Sequence, residues 1–84
     1  MQYVYVLQSK KDYDLYIGCT NDIRKRLQLH NAKKVPSTTK RVPLSLIYYE
    51  AFIDNHDAYT REQFLKSGWG RNQIKKLLRN FFNR

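Results

Sequence analysis

The stretch YVYVLQSKKDYDLYIG, residues 3–18, decides how the rest of the chain is arranged. Tyr3 to Gln8 alternates and is rich in β-branched and aromatic side chains, the pattern of a half-buried strand. Ser9 to Asp14 is polar and supplies a turn, and Leu15 to Gly18 reads as the return strand. Successive strand side chains face opposite ways, so Val4 and Val6 match Leu15 and Ile17 on one face. Tyr5, Tyr16 and Gly18 then share the other face. Two tyrosines on neighbouring strands pack well as a cross-strand pair, but each keeps a hydroxyl that needs a polar partner. The hairpin therefore predicts a polar element lying over its tyrosine face.

Working outward, Asn21 or Asp22 is placed to cap a helix from Ile23 to about Asn31. Ala32 to Pro43 carries two prolines among serine, threonines and basic residues, and is expected to be a mobile loop. Leu44 to Phe52 is a third strand, introduced by Pro43. Asp54 or Asn55 caps a second helix running to Ser67, with Gly68 as a left-handed stop. A last helix is expected from about Asn72 to Phe82, its apolar stripe formed by Ile74, Leu77, Leu78 and Phe81. The order β-β-α-β-α-α predicts an α+β fold, a three-stranded antiparallel sheet flanked by helices, as one domain over residues 1–84.

The first helix supplies the polar element. At about 100° per residue, Ile23, Leu27 and Leu29 define its apolar arc while Arg24, Lys25 and Gln28 lie opposite. Arg26 and His30 fall inside the apolar arc. An arginine aimed at a sheet needs an anion, a π-face or a wet cleft to offset its desolvation; snorkelling past Leu29 is the simpler alternative. His30 reads equally as a hydrogen-bonded boundary histidine. On the second helix, Ala58, Phe64 and Leu65 mark the buried arc, and Glu62 lies at its edge. Ion pairs Glu62–Lys66 and Asp57–Arg61 are expected from their spacing of four.

Bulk properties narrow the class of partner. The chain has 84 residues, one cysteine and a formal charge of +9. One cysteine permits no internal disulfide, and no Cys/His cluster has zinc spacing. The chain is expected to be soluble and cytoplasmic, since it shows neither a signal peptide nor a spanning apolar run. No acid occurs between Asp22 and Glu50, an interval holding Arg24, Lys25, Arg26, Lys33, Lys34, Lys40 and Arg41. After Glu62 only positive side chains follow, from Lys66 through Arg71, Lys75, Lys76 and Arg79 to Arg84. Such a field favours a polyanion, because each neutralised phosphate releases counterions. Trp69, between two glycines, is expected to anchor that turn by packing, with base stacking as the alternative.

Taken together, Val4-Tyr5, Tyr16-Ile17-Gly18, Arg26, His30 and a distant helical Glu62 resemble the GIY-YIG endonuclease superfamily. The likeness extends through YVYVLQS, LYIGCTND, PLSLIYYEAF and REQFLKSGWGR, and is closest to the small stand-alone bacterial members. The resemblance implies metal-dependent cleavage of phosphodiester bonds in DNA, with RNA as the alternative, as in nucleotide excision repair and some homing and restriction enzymes. It implies catalytic roles for Tyr5, Tyr16, Arg26, His30 and Glu62, with Glu62 as the ligand of Mg²⁺ or Mn²⁺ and no small-molecule cofactor. Tyr3 stands where the first tripeptide has glycine, and Cys19 where some relatives carry lysine. A free phenol titrates at about 10, so Tyr5 serves as a base only if a cation lowers that value; Arg26 is the residue expected to do so. Gly18 is expected to let the substrate backbone approach, and Lys33, Lys34, Lys40, Arg41, Arg71 and Lys75 to contact flanking phosphates. A nucleic-acid-binding module of the same fold that turns over slowly or not at all is the alternative function.

Overall fold

Gln2–Ser9 forms β1, Leu15–Thr20 β2 and Leu44–Phe52 β3. In the computed structural model, which describes residues 1–84, they make one antiparallel sheet in the order β2-β1-β3. The helices are α1 (Ile23–Asn31), a 3₁₀ helix (Pro36–Arg41), α2 (Asn55–Leu65), α3 (Gly68–Leu77) and the single turn α4 (Arg79–Phe82). The starts of α1, α2 and α3 follow from side-chain caps, which satisfy otherwise orphaned amides. Asp22 accepts from the amide of Lys25 at 3.0 Å, and Asp54 from the amides of His56 and Asp57.

The sheet divides its side chains as strand periodicity requires. On one face Val4, Val6, Leu15 and Ile17 pack with Ala58 and Leu65 of α2 and Ile74 of α3. On the other, Tyr5, Leu7 and Leu44 pack with Ile23 and Leu27 of α1. The first face is the main apolar core; the second carries the polar chemistry.

Two expectations for α2 are corrected. Phe64 is 40% exposed rather than buried, because α2 is rotated so that Arg61 reaches across to β3. Arg61 makes no pair with Asp57. Instead it grips Glu50 with two bonds, Nε to Oε1 at 2.7 Å and Nη2 to Oε2 at 3.0 Å. Tyr48 donates to the same carboxylate at 2.6 Å. The bidentate Arg61 contact holds the Glu50 carboxyl below its ordinary range, and burial followed by the Glu50 contact pushes the Tyr48 phenol up to about 12. A paired guanidinium–carboxylate fork of this kind fixes orientation as well as distance. It locks α2 to β3.

The chain between α2 and α3 also differs. Gly68 is not a left-handed stop, since no glycine has positive φ. Ser67 caps α3 by accepting from the amide of Gly70 at 3.2 Å, so the helix begins before Asn72. It breaks at Leu78, where φ is −106° and ψ 26°. The break shifts the phase of the last turn, so Leu78 and Phe82 meet the core while Leu77 stays 55% exposed.

Residues 32–43 are ordered by long-range contacts. Asn31 copies a strand partner, donating to the carbonyl of Leu44 at 3.0 Å and accepting from its amide at 2.7 Å. Ser9 Oγ donates to the Arg41 carbonyl at 2.6 Å, and Val35 and Thr38 are buried. No helix is long and apolar enough to cross a membrane.

Candidate active site

The antiparallel register sets Tyr5 opposite Gly18 on β2 and Tyr49 on β3. The Tyr5 ring lies directly over Gly18: a Cβ there would overlap its Oη and Cζ. Gly18 is itself buried. The missing side chain thus makes room for Tyr5, not for a substrate backbone, which corrects the role expected for Gly18.

His30 is wholly buried and joins two elements. Its Nε2 lies 3.0 Å from the Tyr5 hydroxyl and its Nδ1 2.7 Å from Thr38 Oγ1. Thr38 Oγ1 in turn is a donor to the Val35 carbonyl at 3.4 Å. With the threonine proton on that carbonyl, Nδ1–H donates to Thr38 and Nε2 accepts from Tyr5. Tyr16 lies alongside, its ring centroid 5.0 Å from the imidazole and 6.4 Å from the Tyr5 ring. Burial and then the Arg26 charge lower the His30 pKa to about 4. The imidazole is neutral at physiological pH.

Arg26 lies near enough to both phenols for each to influence its charge. Its contact with Tyr5 is the largest influence on its own pKa, which is raised. Its Nε is buried and has no hydrogen-bond partner. Arg26 as a residue is only half-buried, but an unpaired buried donor on a cation is costly, and an anion is its natural complement. For Tyr5, burial outweighs the opposing influence of the Arg26 guanidinium and leaves the phenol above its ordinary range. The expectation that Arg26 brings the Tyr5 phenol below its usual pKa is therefore corrected. Desolvation wins.

Glu62 arrives from α2, whose apolar side packs on the opposite face of the sheet. Its carboxylate acts on Tyr5 through charge but makes no ion pair with Arg26. Glu62 Oε2 instead pairs with Lys66 Nζ at 3.1 Å, the spacing-of-four contact expected, and its side chain is only 13% exposed. No three His, Cys, Asp or Glu side chains cluster as a metal cage. A single carboxylate ligand is compatible with a hard cation that keeps most of its waters, but here that carboxylate is engaged by Lys66.

The outlying basic residues separate into two groups. Lys33, Lys34, Lys40 and Lys75 are exposed and Arg71 half-buried. Arg41 is committed to the fold: Nη2 donates to the Leu15 carbonyl at 3.1 Å, with Asp12 and Asp14 at 3.8 and 3.7 Å. A guanidinium so engaged is not free for a phosphate, which corrects its expected role. Thr38 was missed as a site residue because nothing local marks it; only the folding of the 3₁₀ helix onto α1 brings it to His30. A groove lined by Tyr3, Ile23, Arg24, Leu27, Leu46 and Tyr49 lies between α1 and β3 and holds none of the five residues discussed.

The fold and this cluster define a small α+β domain with two phenols, a guanidinium and a neutral imidazole on one sheet face. The model of the GIY-YIG catalytic domain matches residues 1–76. The chain belongs to the GIY-YIG family. It is 43% identical over 72 residues to a UPF0213 protein of Streptococcus pyogenes serotype M5, covering 84% of this chain and 77% of that one. To a UPF0213 protein of Clostridium perfringens it is 40% identical over 81 residues, covering 95% and 76%. The solution structure of a UPF0213 protein from Bacillus halodurans matches with a TM-score of 0.57 at 32% identity, covering 92% of this chain and 85% of that chain. The GIY-YIG domain implies nuclease activity in general.

Proposed function

We propose that this chain is a metal-dependent endonuclease hydrolysing phosphodiester bonds in DNA, structure-specific or repair-related in its choice of substrate. The observation that carries the reading is the buried, unpartnered Nε of Arg26 beside two phenols and a neutral histidine. Arg26 receives the scissile phosphate and stabilises the charge that builds on it. Tyr5 Oη, held by its hydrogen bond to His30 Nε2 at 3.0 Å, positions the attacking water, whose proton passes to a phosphate oxygen or to solvent. Thr38 holds the imidazole by Nδ1, and Tyr16 orients the water. Glu62 would hold Mg²⁺ or Mn²⁺ after parting from Lys66, and the cation, when bound, would supply charge neutralisation and a more acidic water.

The test is nicking of plasmid and branched DNA with Mg²⁺ or Mn²⁺. Glu62→Ala and Arg26→Ala are each expected to lower the rate by about 100-fold or more, with DNA binding retained. Nicking that survives Glu62→Ala, or that needs no divalent cation, sinks the assignment. The second reading, a binding module without turnover, is favoured by the Lys66 ammonium 3.1 Å from the Glu62 carboxylate. Binding without nicking in any of the three proteins selects it.

A further inference from the structure

Trp69 is the only tryptophan of the chain and is 81% exposed. The expectation that it anchors its turn by packing is thereby corrected: the inward position belongs to Gly70. A Cβ on Gly70 would overlap the Phe64 carbonyl and the Leu65 backbone, so α3 is seated tightly on the end of α2. With Ser67 capping the same turn, the indole is displayed from a rigid support. No aromatic ring or cation of the chain stacks on it. Fully exposing the largest aromatic side chain forfeits a large burial gain, and the fold offers no return for it.

What surrounds the ring indicates its occupant. Trp69 is the shared wall of two hollows, one lined by Gly68, Arg71, Asn72 and Lys75, the other by Phe64, Asn72, Gln73 and Lys76. The collar is amide and cationic, with Phe64 its one apolar member. A membrane-seeking face needs a broad apolar side, and an apolar protein partner needs more than one hydrophobic neighbour. A flat π-face among amide and cationic groups matches a nucleobase with its phosphates. No acid follows Glu62 to oppose it.

We infer that Trp69, flanked by Arg71, Lys75 and Lys76, is a stacking platform for an unpaired base of the nucleic acid. The inference rests on the nucleic-acid reading above and narrows its substrate to one with a single-stranded stretch, because paired bases in a duplex bury their faces. Trp69 lies seven positions after Glu62, so their Cα atoms are at most about 25 Å apart. The platform and the proposed scissile position are within reach of one strand.

The sole tryptophan makes the test direct, and it is run without divalent metal so that cleavage plays no part. Oligothymidylate is expected to quench Trp69 emission saturably, and a hairpin duplex of equal charge to quench it weakly. By fluorescence anisotropy of labelled oligonucleotides, Trp69→Ala is expected to weaken single-strand binding roughly 5- to 100-fold. Trp69→Phe is expected to recover most of that loss, and duplex affinity to stay within about twofold. Circular dichroism serves as the check that each variant folds. Single-strand affinity unchanged by Trp69→Ala overturns the inference, as does an emission shift with anionic lipid vesicles but not with oligothymidylate. Either result leaves the nicking test on Glu62 and Arg26 standing by itself.

Discussion

At position 18 a hydrogen stands where any other residue places a Cβ, and the Tyr5 ring fills the space. The constraint is steric and not conformational, since Gly18 has no positive φ. Tyr5 is 2% exposed and hydrogen-bonded to His30, so it has nowhere to move. Gly18→Ala is expected to cost about 1–3 kcal/mol, the ordinary penalty for overpacking, and to abolish nicking by displacing Oη. Urea unfolding and the nicking assay check this; a variant of native stability and full activity contradicts it. The tyrosine face was legible as a pair of tyrosines and a glycine on one side of a hairpin. That the glycine serves the tyrosine was not, because the antiparallel pairing of Tyr5 with Gly18 is a tertiary fact.

Elements show the same division. The bounds of α1 and β3 agree with those read from the sequence, because caps and β-rich runs act over three or four residues. Residues 36–41 are a 3₁₀ helix and not a loop, since Thr38 and Val35 gain their burial from distant neighbours. The turn between α2 and α3 yields a paired prediction from its two glycines. Gly70→Ala forces α3 away from the α2 backbone and is expected to destabilise by about 1–3 kcal/mol. At Gly68 a Cβ meets nothing within 4 Å, so Gly68→Ala is expected to be neutral or stabilising by up to about 1 kcal/mol. Urea midpoints of the two variants should fall on opposite sides of, or at, the wild type. Equal losses in both would show that the tight α2–α3 contact is misread.

For the molecule as a whole, protonation links the site to stability. His30 titrates at about 4 when folded and at about 6.5 when unfolded. As pH falls from 6.5 towards 4, the unfolded chain gains a proton that the folded chain refuses, so this part of the stability is lost on acidification. The groups facing the imidazole are Tyr5 and Tyr16 from the strands, Thr38 from the 3₁₀ helix and Arg26 from α1. None of them is a carboxylate able to hold the imidazolium. His30→Gln is expected to flatten the dependence of Tm on pH between 7 and 4.5, with the carboxylate contribution cancelling in the comparison. Parallel wild-type and variant profiles would count against a buried neutral histidine.

The sequence by itself determined the strand faces, the capped starts of α1 and α2, the excess of positive charge and the inward aim of Arg26. Each follows from periodicity or from contacts within one turn of chain, so each is written locally. The tertiary structure alone decided that burial outweighs Arg26 at the Tyr5 phenol, that Arg61 grips Glu50, that Arg41 serves the fold and that Trp69 faces outward. Those outcomes depend on which surfaces meet and how much water they expel, quantities that arise only when distant segments pack.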